Sequence, residues 1–270
     1  MANANNGKAF LSTPEAKNMI DAHAHIEMFK RDAPAVAEES RRHLKAVVDS
    51  ITEYRKFHVW KSWEILKPYF GFVFPTLGYA PNEARRGNWE KVGKVEAFIR
   101  EHADEIVAVG EIGLDFYYAK TEEERRNQRE IFRHFLNLAV ELDKPVVLHA
   151  RDAEREVFEA IQRAGVKAYF HSYSGPAELA LEITDNGHII GINTGIDFIP
   201  AVREAAEVLP MESIVVETDA PYMSPYRGEK NYPWNVEYAV RRIAEIKGLE
   251  FGEVEKTTER NTVKFFGLRI

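Results

Sequence analysis

Eight short apolar runs, separated by segments with helical signals, constrain this chain more than any other feature. They occupy residues 19–25, 44–50, 70–78, 106–112, 145–149, 167–171, 188–192 and 213–219. The segments between them read as helices. One spans 52–67 and stops at Pro68; another, 89–102, puts Val92, Val95, Phe98 and Ile99 on one face. Thr121 and Glu124 form a capping box that opens a long helix to Leu142. Asp152 is placed to cap a helix that ends near Gly165, and Pro176 to begin the next. Helices over 200–209, 235–247 and 251–266 complete the pattern. Strands separated by helices pair in parallel through right-handed crossovers. Eight such units close into a (β/α)8 TIM-type barrel, an α/β fold. An open doubly wound sheet would carry a glycine-rich phosphate loop after an early strand, and none is present.

The 270 residues suit one barrel over 18–270, preceded by an N-terminal tail over 1–17 that lacks the apolar stretch of a secretory signal. No apolar run is long enough to span a bilayer, so no membrane partner is expected and a cytoplasmic location is the default. There is no cysteine, so a metal would have to be held by His, Asp and Glu. The net charge of −7 argues against a broad basic footprint for nucleic acid. It leaves room for a nucleic-acid enzyme that relies on a few arginines and metal ions.

The C-terminal ends of barrel strands converge on one face. Read that way, the first strand ends in His23 and His25, the fourth in Glu111, the fifth in His149, the sixth in His171 and the eighth in Asp219. Period-2 alternation would turn Asp21, His23 and His25 to one face, with Asp21 a layer deeper and orienting the histidines. Nitrogen and oxygen donors without sulfur suit one or two divalent ions such as Zn²⁺, Mn²⁺ or Mg²⁺. Glu217 shares the inward face of Asp219; it either orients a ligand histidine or closes a core salt bridge. Arg151 either forks onto a phosphate or makes a surface pair, and Arg227 and Asn231 are further substrate-binding candidates. Tyr117, Tyr173 and Tyr222 either stack on bases or pack in the loops.

Several ordered segments resemble the TatD-type metal-dependent deoxyribonucleases, within the amidohydrolase-like barrels. They are Asp21-Ala22-His23-Ala24-His25, Gly110-Glu111-Ile112-Gly113-Leu114-Asp115, His149-Ala150-Arg151-Asp152-Ala153, His171-Ser172-Tyr173-Ser174-Gly175 and Glu217-Thr218-Asp219-Ala220-Pro221. Asn261 with Phe265-Phe266-Gly267 is similar to the family's C-terminal motif. The resemblance implies two divalent metal ions bridged by Glu111, with His23 and His25 on one and His149 and His171 on the other. Asp219 would complete the first site and handle the proton of the attacking water. The implied activity is that of a phosphodiesterase, a 3′-exonuclease-like deoxyribonuclease acting on a nucleic-acid end.

Two departures stand in the loops at the mouth. Gly78-Tyr79-Ala80-Pro81 replaces the usual Gly-x-His-Pro, and Asn231-Tyr232-Pro233 replaces Asn-Glu-Pro. They keep open hydrolysis of a small phosphoester, amide or lactone on the same barrel, and a metal-holding scaffold without catalysis is the third reading.

Overall fold

The structure is a computed structural model that describes residues 18–270; the expected tail over 1–17 lies outside the described residues. In chain order the elements are β1 (Ile20–Ala24), α1 (Ala33–His43), β2 (Ala46–Glu53), α2 (Val59–Leu66), β3 (Val73–Tyr79), α3 (Pro81–Ala84) and α4 (Trp89–Glu101). They continue with β4 (Ala108–Asp115), α5 (Glu122–Glu141), β5 (Val146–Arg151), α6 (Glu154–Ala164), β6 (Ala168–Phe170) and α7 (Ala177–Asp185). Last come β7 (Ile189–Asn193), α8 (Pro200–Val208), β8 (Ile214–Glu217), α9 (Val236–Lys247) and α10 (Phe251–Phe266). All eight strands lie in one parallel sheet in sequence order, β1 to β8. A bridge between Ala24 and Ala220 brings the last strand back to the first. This is the expected (β/α)8 barrel.

Alternation along the strands builds two apolar layers. Val47, Leu148, Ile190 and Val216 pack outward with the buried helix faces, in one cluster with Trp63, Phe135 and Ile243. Their strand neighbours Val48, Val147, Ile189 and Val215 form a second cluster with Ile20, Tyr169, Phe266 and Leu268. Each fully buried Val, Leu or Ile contributes about 1.5–3 kcal/mol relative to exposure.

Local signals place most helix ends. Both bonds of the capping box form: Glu124 N–H donates to Thr121 Oγ1 at 3.2 Å, and Thr121 N–H to Glu124 Oε2 at 3.2 Å. Gly165 ends α6 in the left-handed region at φ 68°, which a residue without Cβ adopts at no steric cost. Asp152 does not cap that helix. It takes φ 56° at the end of β5, and Ala153 precedes α6 without a side-chain cap. The second strand runs to Glu53, through residues read from the sequence as a helix start, because its polar groups find internal partners. Thr52 Oγ1 accepts the Glu111 N–H at 3.3 Å, and buried Glu53 takes Lys91 Nζ at 2.6 Å and His58 Nδ1 at 2.8 Å.

Gly113 lets β4 lie close against β5. Its φ is +141°, and a Cβ there would stand 2.0 Å from the His149 carbonyl oxygen. Gly113→Ala is therefore expected to destabilise the protein by about 2 kcal/mol or more, since overpacking and the unfavourable φ act together. Denaturant unfolding measures this directly, and a loss below about 0.5 kcal/mol would contradict it.

Candidate metal centre

Six side chains carried by five strands or by the residues just beyond them meet at the mouth of the barrel. His23 Nε2 lies 3.2 Å from His25 Nε2. Glu111 stands between two pairs of imidazoles. Its Oε2 is 4.0 Å from His23 Nε2 and 3.6 Å from His25 Nε2. Its Oε1 is 3.1 Å from His149 Nδ1 and 3.5 Å from His171 Nε2. Asp219 Oδ1 lies 3.8 Å from His23 Nε2 and 3.6 Å from His25 Nε2. Triads of donor atoms close enough to share one ion include His23, Glu111 and His171, and His23, His25 and Asp219. His23 belongs to both, because its ring stacks on His171 at 3.9 Å between centroids.

The rings are aimed from behind. Ser50 O lies 2.8 Å from His25 Nδ1, which turns Nε2 to the centre. Asp115 Oδ2 lies 3.1 Å from His149 Nε2, which turns Nδ1 to Glu111. The sequence reading missed Asp115; the available signal was its even offset from Glu111, shared with Gly113 along one strand.

Asp21 and Glu217 bond to backbone N–H groups and to neighbouring hydroxyls rather than to the ligand rings, which corrects the expected geometry. The register of β1 against β2 shifts between Asp21 and Ala24, so strict alternation from Asp21 through His25 fails. Asp21 accepts Thr218 N–H at 2.9 Å, Thr218 Oγ1–H at 2.5 Å and His23 N–H at 3.3 Å. Glu217 accepts the Tyr169 hydroxyl and, at 2.6 Å, the Ser172 N–H next to His171. Burial pushes the Glu217 carboxyl up to about 7.

The centre draws positive charge. Among the described residues no lysine or arginine pairs with Glu111 or Asp219; their close partners are histidines. Burial disfavours a charged His25, but the nearby carboxylates of Glu27, Glu111 and Asp219 outweigh this and hold it at about 10. Burial also opposes charge on His149, and the bonds to Asp115 and Glu111 again hold it at about 10. Burial, then the His171 and His25 rings, keeps His23 well below the ordinary imidazole range. Four ring nitrogens and three carboxylate oxygens thus face one another at 3.1–4.0 Å. A divalent cation satisfies such a set without protons, and the lack of sulfur fits Zn²⁺, Mn²⁺ or Mg²⁺.

The substrate-binding candidates separate. Arg151 stands exposed, its guanidinium 3.8 Å above the Tyr117 ring. Arg227 is exposed in the loop after β8. Asn231 is buried, and its Nδ2 donates to Thr194 Oγ1 and Thr218 O, both at 2.8 Å, so it braces the loop instead of facing a substrate. Tyr173 is likewise buried, its hydroxyl on Pro176 O at 2.8 Å, whereas Tyr117 and Tyr222 stay open at the mouth. Both altered mouth tyrosines pack inward: Tyr79 stacks on Phe135 and Tyr232 on Phe29.

A family model described as TatD related DNase matches residues 20–267. An uncharacterized metal-dependent hydrolase of Methanocaldococcus jannaschii is 38% identical over 253 residues, covering 93% of this chain and 98% of its own. Human deoxyribonuclease TATDN3 is 30% identical over 263 residues, covering 92% and 94% respectively. Among solved structures, a TatD homologue of Escherichia coli matches with a TM-score of 0.83 at 23% identity, over 93% of this chain and 99% of that one, a likeness of fold.

If Asp115 holds the His149 proton, Asp115→Ala should lower the His149 pKa in metal-free protein by about one unit or more, as removal of an adjacent carboxylate does. NMR titration of the imidazole would read this, and an unmoved His149 would refute the pairing.

Proposed function

The chain belongs to the TatD-related DNase family and is a metal-dependent hydrolase, and on that footing we propose that it is a two-metal phosphodiesterase acting on the ends of nucleic-acid strands. One observation carries this reading: each oxygen of the Glu111 carboxylate faces its own pair of imidazoles. A single carboxylate placed so would serve two ions, with His23, His25 and Asp219 available to one and His149 and His171 to the other. When bound, divalent ions lower the pKa of a coordinated water towards about 7 and neutralise charge on entering and leaving oxygens.

The protein's own groups do the rest. Asp219 accepts the proton of the attacking water and returns it to the leaving oxygen. Burial raises its pKa, which favours a base able to give the proton back. Ser50 O and Asp115 hold His25 and His149 in the tautomers that present the inner nitrogens. Arg151, steadied on Tyr117, lies two residues beyond His149 and offers its guanidinium to the phosphate. The name of the human relative supports a deoxyribonuclease.

Incubation of metal-loaded protein with end-labelled single-stranded DNA, and with a panel of small phosphoesters, amides and lactones, tests the reading. Stepwise shortening that stops with chelator is the expected result; turnover confined to the small molecules would replace it, and no turnover would leave a binding scaffold. Asp219→Asn should lower kcat by about 10²–10⁴-fold with the melting temperature retained, and Glu111→Ala should abolish activity together with metal binding. More than about a tenth of wild-type turnover in both variants would refute these roles.

Proton linkage gives a second check. Metal must displace the protons that His25 and His149 carry at neutral pH. The apparent affinity for Zn²⁺ or Mn²⁺ should therefore rise with pH between about 6 and 8, by about tenfold per unit for each proton displaced. Calorimetry in buffers of different ionisation enthalpy counts those protons, and a flat profile would count against the ligand set.

A further inference from the structure

A second concave feature adjoins the metal centre and takes no part in the chemistry above. It is a cleft of about 430 Å³ between the segment after β1 and the segment after β2, extending over the first turns of α2. Lys30, Arg31, Lys56 and Lys61 line it, all of them exposed, with half-buried Phe57 on its wall. Among the described residues, Lys30, Lys56 and Lys61 have no carboxylate within ion-pair distance, and Arg31 reaches only its exposed neighbour Asp32 at 3.6 Å. Four cations therefore face one carboxylate, Glu27, in a chain whose net charge is −7.

Place and chemistry together narrow the occupant. Both loops leave the C-terminal ends of strands, so the cleft opens on the same face as the metal centre. Glu27 is buried and lies 3.8 Å from His25 Nδ1, so the inner end of the cleft reaches the back of His25, on the side away from its centre-facing Nε2. The carboxylate is turned towards His25, which leaves the ammonium groups to form the lip. Like charges crowded at a lip repel one another, and an anion carrying several charges relieves this. A cationic groove with an aromatic wall is the combination that holds single strands without reading their sequence.

We propose that this cleft seats the phosphodiester backbone of a single-stranded nucleic acid, holding nucleotides beyond the one whose ester lies at the metal centre. The proposal rests on the phosphodiesterase reading for what lies at the centre. It adds that affinity grows with strand length and that Lys56 and Lys61 carry part of its salt dependence.

The test uses metal-loaded Asp219→Asn protein, whose cleavage is expected to be slowed by about 10²–10⁴-fold, and fluorescein-labelled 12-residue oligo(dT), read by anisotropy from low to physiological salt. Adding Lys56→Gln and Lys61→Gln should weaken binding by roughly tenfold and reduce the slope of log K against log salt by about 0.7 for each phosphate no longer neutralised. Lys56→Arg with Lys61→Arg should restore both, and melting temperature and metal content control for folding. Unchanged affinity and slope in the glutamine variant would overturn the assignment, as would failure of the parent protein to bind the oligonucleotide. The two readings fail separately. A wild-type protein that binds through these lysines but never shortens the strand refutes the phosphodiesterase reading and keeps the cleft. One that shortens it while the glutamine variant binds normally overturns the cleft alone.

Discussion

The seam where β8 meets β1 is the constraint on which the site depends. Elsewhere parallel ladders join the strands, but here one bridge, Ala24 to Ala220, links the sheet's two ends. Side-chain and loop hydrogen bonds complete the closure. Asp219 N–H donates to His23 O at 2.9 Å, His25 N–H donates to Ala220 O at 2.8 Å, and the Asp21 carboxylate takes both donors of Thr218. Asp21 is wholly buried, and burial raises its pKa well above the usual range, so these donors are what make a carboxylate tolerable there. Across this seam stand His23 and His25 on one side and Asp219 on the other. Closing the barrel and assembling that half of the centre are one event.

Backbone conformation follows from the same demand. Asp219 at φ 54° and Ser172 at φ 46° occupy the left-handed region, which costs a non-glycine residue about 1–3 kcal/mol. Each is held by its surroundings. Asp219 is tied through its N–H to His23 O, and Ser172 through its N–H to Glu217. The sharp exits from β6 and β8 point His171 and Asp219 inward instead of letting the chain run on into its next helix. These two exits place His171 Nε2 3.5 Å from Glu111 Oε1 and Asp219 Oδ1 3.8 Å from His23 Nε2.

How much of this was legible in sequence depends on the range of the signal. Apolar runs are local, so the eight strands, the barrel and the convergence of His23, His25, Glu111, His149, His171 and Asp219 on one face could be read directly, although β4 and β5 run on past Glu111 and His149 to Asp115 and Arg151. Strand lengths were less legible, because β2 persists to Glu53 only through partners such as Lys91 and His58 that lie elsewhere in the chain. The part played by Asp115 depends on the register of β4 against β5, where Gly113 lies opposite His149 and Asp115 opposite Arg151. Asn231 and Tyr173 looked like mouth residues because their loops are at the mouth, but loop membership does not reveal whether a side chain turns in. The lysine cleft draws on two loops that composition had folded into one acidic total.

That acidic total and the lysine cleft are compatible, for reasons of range. Exposed charges further apart than about 8 Å are largely screened at physiological ionic strength. Acidic groups elsewhere on the barrel therefore do little to cancel four cations gathered in one cleft, while the two ions of the proposed centre add positive charge beside it. On the proposed reading, a single strand at the mouth would meet the cations of the cleft with Phe57 on its wall, and the exposed rings of Tyr117 and Tyr222. On that reading, attraction for a phosphodiester is then a local property of the cleft and the centre beside it, set by the charges within a screening length and not by the sign of the whole chain.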